Sequence, residues 1–131
     1  MIILSTQKIL QLHHFLIQET GGLDGLRDEG LLDSAVQGPF ATFDGQELYP
    51  RLEQKAAKLG YMLAKNHAFL DGNKRIGTYS MLVFLDVNGA TMEYSDDELI
   101  SLGFGIADGS LDYEDVLSWI QEYKTTPADG C

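Results

Sequence analysis

From Ile76 to Val87 the chain carries one charged residue, Asp86, while Tyr79, Met81, Leu82, Val83, Phe84, Leu85 and Val87 put apolar groups on every side of a helix. A helix apolar all round needs neighbours all round, so this stretch is predicted to be the central helix of a single core. It is too short and too mixed to span a bilayer. Asn88-Gly89 stops it. At 131 residues the rest of the chain can supply the surrounding helices and bury a core without disulfides or metals.

The residues just ahead of that helix carry chemistry. His67-Ala-Phe-Leu-Asp71-Gly72-Asn73-Lys74-Arg75 reads as a loop and a helix start, with Gly72 supplying backbone freedom and Asp71 or Asn73 a cap. Free N–H groups at a helix start, with the positive end of the dipole, attract anions. Lys74 and Arg75 stand in the first turn, where the dipole alone prefers acids, and two cations there suit a polyphosphate. His67 can accept a proton near neutral pH. Each residue has a plainer reading: His67 closing the preceding helix, Asp71 as a cap, Asn73 as a turn residue, the cations as solvated surface.

Composition narrows the partners. The formal net charge of −11 argues against direct nucleic-acid binding, which needs a basic face, and against anionic membrane surfaces. Cys131 is the one cysteine, so no internal disulfide forms. Met1 to Ser5 is short and lacks a basic region, so the expected location is cytoplasmic.

In chain order, Ser5 or Thr6 caps a first helix with a stripe of Ile9, Leu12, Phe15 and Leu16, ended by Gly21-Gly22. His13 and His14 on this helix have no partner at ligand spacing and read as surface or half-buried structural residues. Asp28 caps a second helix, Glu29 to Val36, stopped by Gly38-Pro39. Residues 40–50 contain Asp44-Gly45, a hairpin signal. Pro50 suits the first turn of a third helix, Arg51 to Asn66, with a stripe of Leu52, Ala56, Leu59 and Leu63 and small residues at Ala57, Gly60 and Ala64. Phe69 plugs the core and fixes the loop. Thr91 to Tyr94 is a candidate strand to pair with Ile2 to Leu4. Ser95 to Glu98 is a capping box for a fifth helix reaching about Ala107. Asp112 caps a sixth, Tyr113 to about Lys124, with Val116, Leu117, Ile120 and Tyr123 inward and Trp119 beside them. Residues 125–131 read as a disordered tail after a single domain spanning 1–124. The expected fold is mainly α: a compact bundle of about six helices with an inserted β-hairpin.

The run His67, Phe69, Asp71, Asn73, Lys74, Arg75 resembles the signature loop of the Fic/Doc family in its Doc-type (death-on-curing) form, close to H-x-F-x-D-x-N-K-R. The likeness extends from Gly21-Gly22-Leu23 and Arg27 to Leu32 through Asn88-Gly89. It implies a Fic/Doc-like catalytic domain in which residues 40–50 form a flap that aligns the target protein as an added strand.

The loop holds the parts for moving a phosphorus-centred group onto a hydroxyl. His67 would take the hydroxyl proton, and Asp71 would hold Mg²⁺ against the phosphates of ATP. Asn73 would orient the loop or a phosphate, with Gly72 and the backbone N–H groups binding phosphate. Lys74 and Arg75 would bind phosphate and stabilise transition-state charge.

The resemblance divides two activities. Fic-type enzymes transfer AMP; their loop has glycine where Lys74 stands and a second arginine where this chain has Thr78. Doc-type toxins phosphorylate a threonine of elongation factor Tu, halting translation, and a cognate antitoxin inhibits them. Lys74 and Thr78 favour the kinase. Gly72 is shared with the AMP-transferring enzymes, where Doc has alanine, and Ala68 replaces a common proline. Protein adenylyltransferase and a non-catalytic nucleotide-binding module are the alternatives. Ser110 to Glu114 is a near match to the self-inhibitory motif of some Fic proteins, but lies at a helix start and reads better as part of a cap.

Overall fold

A computed structural model describes residues 1–125. Six helices and one short hairpin make up the fold, which is mainly α as expected: α1 (Thr6–Thr20), α2 (Glu29–Gln37), β1 (Thr42–Phe43), β2 (Gln46–Glu47), α3 (Leu52–Lys65), α4 (Asn73–Val87), α5 (Asp96–Asp108) and α6 (Tyr113–Tyr123). The starts follow from local chemistry. Ser5, Asp28, Ser95 and Asp112 each accept the backbone N–H of the third residue of the helix they cap. Asp112 and not Ser110 caps α6, and Asp115 completes its capping box.

α3 and α4 form the central pair and make the most extensive contact in the molecule. Their backbones meet at Gly60 and Gly77. A Cβ added at Gly77 would lie 2.7 Å from the Gly60 carbonyl oxygen and 2.8 Å from both the nitrogen and Cβ of Ala64. Ala56, Ala57, Leu59, Leu63 and Ala64 from α3 bury against Ile76, Met81, Phe84 and Leu85 from α4. α6 closes over α3 with Val116 and Ile120, α5 adds Leu102 and Ile106, and α1 and α2 cover the remaining flank with Ile9 and Leu32.

The hairpin pairs Thr42 with Glu47 and Phe43 with Gln46. Asp44 (φ 54°) and Gly45 (φ 78°) both take positive φ, the type I′ geometry that suits strand twist. Lys55 of α3 anchors it. Only 3% exposed, its ammonium donates to Glu47 Oε1 at 2.8 Å and to the Tyr49 carbonyl, and lies over the Phe40 ring.

Several expectations are corrected. Of the expected α1 stripe, Ile9 is buried and Leu12 and Leu16 pack half-buried against the core, but Phe15 is half exposed, and the fully buried line is Ile9, His13 and Ile17. α4 is not enclosed on every side. Tyr79, Leu82 and Val83 are half-buried beside an open groove of about 340 Å³, and Val87 is exposed. Residues 91–94 form no strand with Ile2 to Leu4. Met92 instead bridges Lys124, Glu93 N donates to Tyr123 O, and Ile2 is held by the Asn88 side chain. The C-terminal end of α6 already occupies that edge. Pro50 precedes α3 and its cap Arg51 instead of standing in the first turn. Of the expected tail, Thr125 donates its backbone N–H to Thr91 O at 2.8 Å, and residues 126–131 lie outside the described residues. Among the described residues, no helix is long and apolar enough to cross a membrane.

Candidate active site

α3 ends at Lys65, Asn66 caps it, and Asn66 Nδ2 anchors the turn by donating to Leu31 O at 2.7 Å. His67 follows with φ 56°, the left-handed position where helices usually place glycine. A side chain there costs about 1–2 kcal/mol of backbone strain. The segment after it pairs with residues 25–28: Arg27 N and Asp28 N donate to Ala68 O at 2.8 and 2.9 Å, and Leu70 N to Gly25 O at 3.1 Å. Arg27 Nε donates to the His67 carbonyl at 2.7 Å. The backbone of His67 is therefore held while its imidazole stays exposed.

Phe69 is buried as expected. Asn73 clamps it from both sides: Phe69 N donates to Oδ1 and Nδ2 donates to Phe69 O, each at 3.0 Å. Both polar atoms of Asn73 are thus engaged in holding the loop. The cap of α4 is Gly72, at φ 75°, and not Asp71 or Asn73. Without a side chain Gly72 makes no capping bond, and among the described residues no side chain caps the first N–H groups of α4.

Asp71 accepts from Leu23 N at 3.2 Å through Oδ2 and from Gly72 N at 2.7 Å through Oδ1. These two backbone N–H bonds, with the nearby Arg75 guanidinium and His13, hold its carboxyl below the usual aspartate range, so it is ionised at neutral pH. The chain just after α1 passes close at Gly22, where a Cβ would sit 2.6 Å from Asp71 Oδ2. Arg75 donates to Thr20 Oγ1 and to Gly21 O (3.1 Å) and lies 3.8 Å from Asp71 Oδ1. Lys74 rests its ammonium 3.5 Å from the centroid of the exposed Phe104 ring of α5.

One open cavity of about 360 Å³ is lined by His67, Asp71, Gly72, Asn73, Lys74 and Arg75 with Ala64, Leu70 and Ala107. All the sequence-predicted reactive residues meet there, and the loop is fixed from below by α1, where His13 is buried beneath it. His13 Nε2 lies 2.7 Å from Asp71 O, and its ring stacks on Phe69 with centroids 3.8 Å apart. Reading His13 as a surface or half-buried residue missed this contact. The signal was its spacing of four from both Ile9 and Ile17. An ionised, half-exposed carboxylate beside uncapped helix N–H groups fits a divalent cation carried by phosphates, since magnesium is held by one or two carboxylates plus phosphate oxygens.

A family model described as the Fic/DOC family matches residues 3–85. The chain is 50% identical over 72 residues to toxin Doc of Mycolicibacterium smegmatis, an alignment covering 55% of each protein. It is 31% identical over 113 residues to protein kinase doc of Escherichia phage P1, covering 86% of this chain and 88% of that one.

Proposed function

The chain belongs to the Fic/DOC family, and from that premise we propose that it is a Doc-type toxin that moves the γ-phosphoryl group of ATP onto a hydroxyl of a target protein, such as elongation factor Tu, arresting translation. The observation that carries this reading is the convergence on one cavity of an imidazole, an ionised carboxylate, an uncapped helix start and two cations. A cognate antitoxin would hold the enzyme in check, as for a toxin, and residues 40–50 would align the target strand.

In this mechanism His67 accepts the proton of the target hydroxyl as its oxygen bonds to the γ-phosphorus. The bond from that phosphorus to the bridging oxygen breaks, and ADP leaves with the electron pair. Asp71 would hold Mg²⁺, which when bound neutralises phosphate charge. The N–H groups at the start of α4 receive phosphate oxygens. Lys74 and Arg75 balance the charge that builds on the equatorial oxygens, for which Lys74 leaves Phe104 and Arg75 turns from Thr20. Asn73 keeps the loop in register.

Phosphoryl over adenylyl transfer is supported at Thr78. This residue stands where AMP-transferring relatives carry a second arginine, and it is 8% exposed with its hydroxyl folded back onto Lys74 O and Arg75 O at 3.2 Å. A hydroxyl so engaged, on a short side chain, is no substitute for an arginine phosphate clamp. The test is to incubate the protein and His67→Ala with bacterial lysate, Mg²⁺ and ATP labelled at the α or the γ position. The expected result is γ label on a lysate protein, only with His67 intact. Transfer of α label would establish AMP transfer instead, and ATP binding with no transfer of either label, in lysate and again with purified elongation factor Tu, would favour a binding module.

A further inference from the structure

His13 is an anomaly in the inward stripe of α1: a polar ring 1% exposed between Ile9 and Ile17. Its contacts explain it. The Asp71 carbonyl can only accept, so at 2.7 Å the His13 Nε2 carries the proton and donates. That carbonyl belongs to the peptide unit linking Asp71 to Gly72, and the N–H of the same unit donates to the Asp71 carboxylate at 2.7 Å. One rigid plane is thus pinned at its oxygen by α1 and at its nitrogen by the side chain it orients. Rotation of the plane would break both bonds and withdraw Gly72 N from Asp71 Oδ1. The ring also stacks on Phe69 within 11° of parallel, which sets its height under the loop. On its far side, Nδ1 faces Asp24 Oδ1 at 3.8 Å, and Asp24 is bonded mainly to the exposed His14.

We infer that His13 is a positioning residue: by donating from Nε2 to the Asp71 carbonyl it locks the Asp71–Gly72 peptide plane, and so fixes the carboxylate for the magnesium-bearing phosphates. The role in binding rests on the proposed function; the lock on the peptide plane does not.

Two substitutions separate donor from packing. His13→Phe keeps a flat ring against Phe69 and removes the donor. His13→Gln keeps an N–H at similar reach and removes the ring. Amide hydrogen exchange is read at Leu23 and Gly72, whose N–H groups hold the Asp71 carboxylate, and at Met81 in the core, alongside Mg²⁺-dependent ATP binding by calorimetry. In His13→Phe the Leu23 and Gly72 amides are expected to exchange about tenfold faster with Met81 unchanged. Mg²⁺-dependent ATP affinity falls about tenfold, the lower end of what losing an outer-shell partner costs. In His13→Gln both return to within about threefold of the unmodified protein, the deviation expected of a less pre-organised donor. Unchanged exchange in His13→Phe, or acceleration at Met81 equal to that at Gly72, would overturn the inference and leave His13 a packing residue. If the unmodified protein binds no Mg²⁺–ATP but the exchange pattern holds, the proposed function fails while the positional lock stands.

Discussion

Gly77→Ala tests the crossing that sets His67 opposite the start of α4. α3 ends just before His67 and α4 starts just after Gly72, so the separation of these helices fixes the width of the site. The added methyl carbon would face the Gly60 carbonyl at 2.7 Å and the Ala64 nitrogen and Cβ at 2.8 Å, and two of the three are backbone atoms that cannot rotate away. Alanine favours a helix interior over glycine by about 1 kcal/mol. Overpacking typically costs about 1–3 kcal/mol, and a rigid backbone contact belongs at the upper end. The net expectation is a loss of about 2 kcal/mol, which at a slope of about 2 kcal/mol/M lowers the urea midpoint by about 1 M. Gly60→Ala is the control. Its Cβ would meet Met81 Cβ at 3.0 Å, the movable Met81 Sδ at 3.1 Å and Gly77 O at 3.2 Å, so the propensity gain offsets most of the cost. Urea unfolding followed by circular dichroism reads both. A Gly77→Ala protein as stable as the unmodified one, or less destabilised than Gly60→Ala, would refute the reasoning.

His67→Gly should unfold within about 1 kcal/mol of the unmodified protein or above it, because glycine relieves the left-handed strain, while His67→Ala is the less stable of the two and both lose transfer activity. Asn73→Ala leaves the buried N–H and carbonyl of Phe69 without partners and should cost about 2–4 kcal/mol in the same unfolding assay. Asp71 has a native pKa below its unfolded value, so its stabilisation is full above the ordinary carboxylate range and is lost as pH falls through the lowered native pKa. Asp71→Asn should therefore flatten part of the acid side of a urea-midpoint-against-pH curve. Lys55→Met should free the hairpin without unfolding the core, seen as faster amide exchange at Leu48, which bonds Ala41 O, with no change in α4.

Helix starts were legible in the sequence because capping is local. Ser5, Asp28, Ser95 and Asp112 needed only the next three residues to declare themselves. The hairpin turn was equally local at Asp44-Gly45. What failed depended on distant chain. The pairing of Met92 with Lys124 joins positions with no shared local signal, and the face of α1 was ambiguous because two apolar stripes overlap on it. At the site, spacing alone gathered His67, Asp71, Lys74 and Arg75 into nine residues. It did not show what aims them. The Leu23 amide that orients Asp71 is 48 residues away and the His13 ring beneath it 58, contacts that exist only once α1 packs on α4.

The most direct test of the central claim is intact-mass and peptide mass spectrometry of purified elongation factor Tu after incubation with Mg²⁺–ATP and either the unmodified protein or His67→Ala. The expected result is a single phosphoryl group on one hydroxyl, present with the unmodified protein and absent with the variant. An adenylyl group at that position, or equal phosphorylation by His67→Ala, would contradict it.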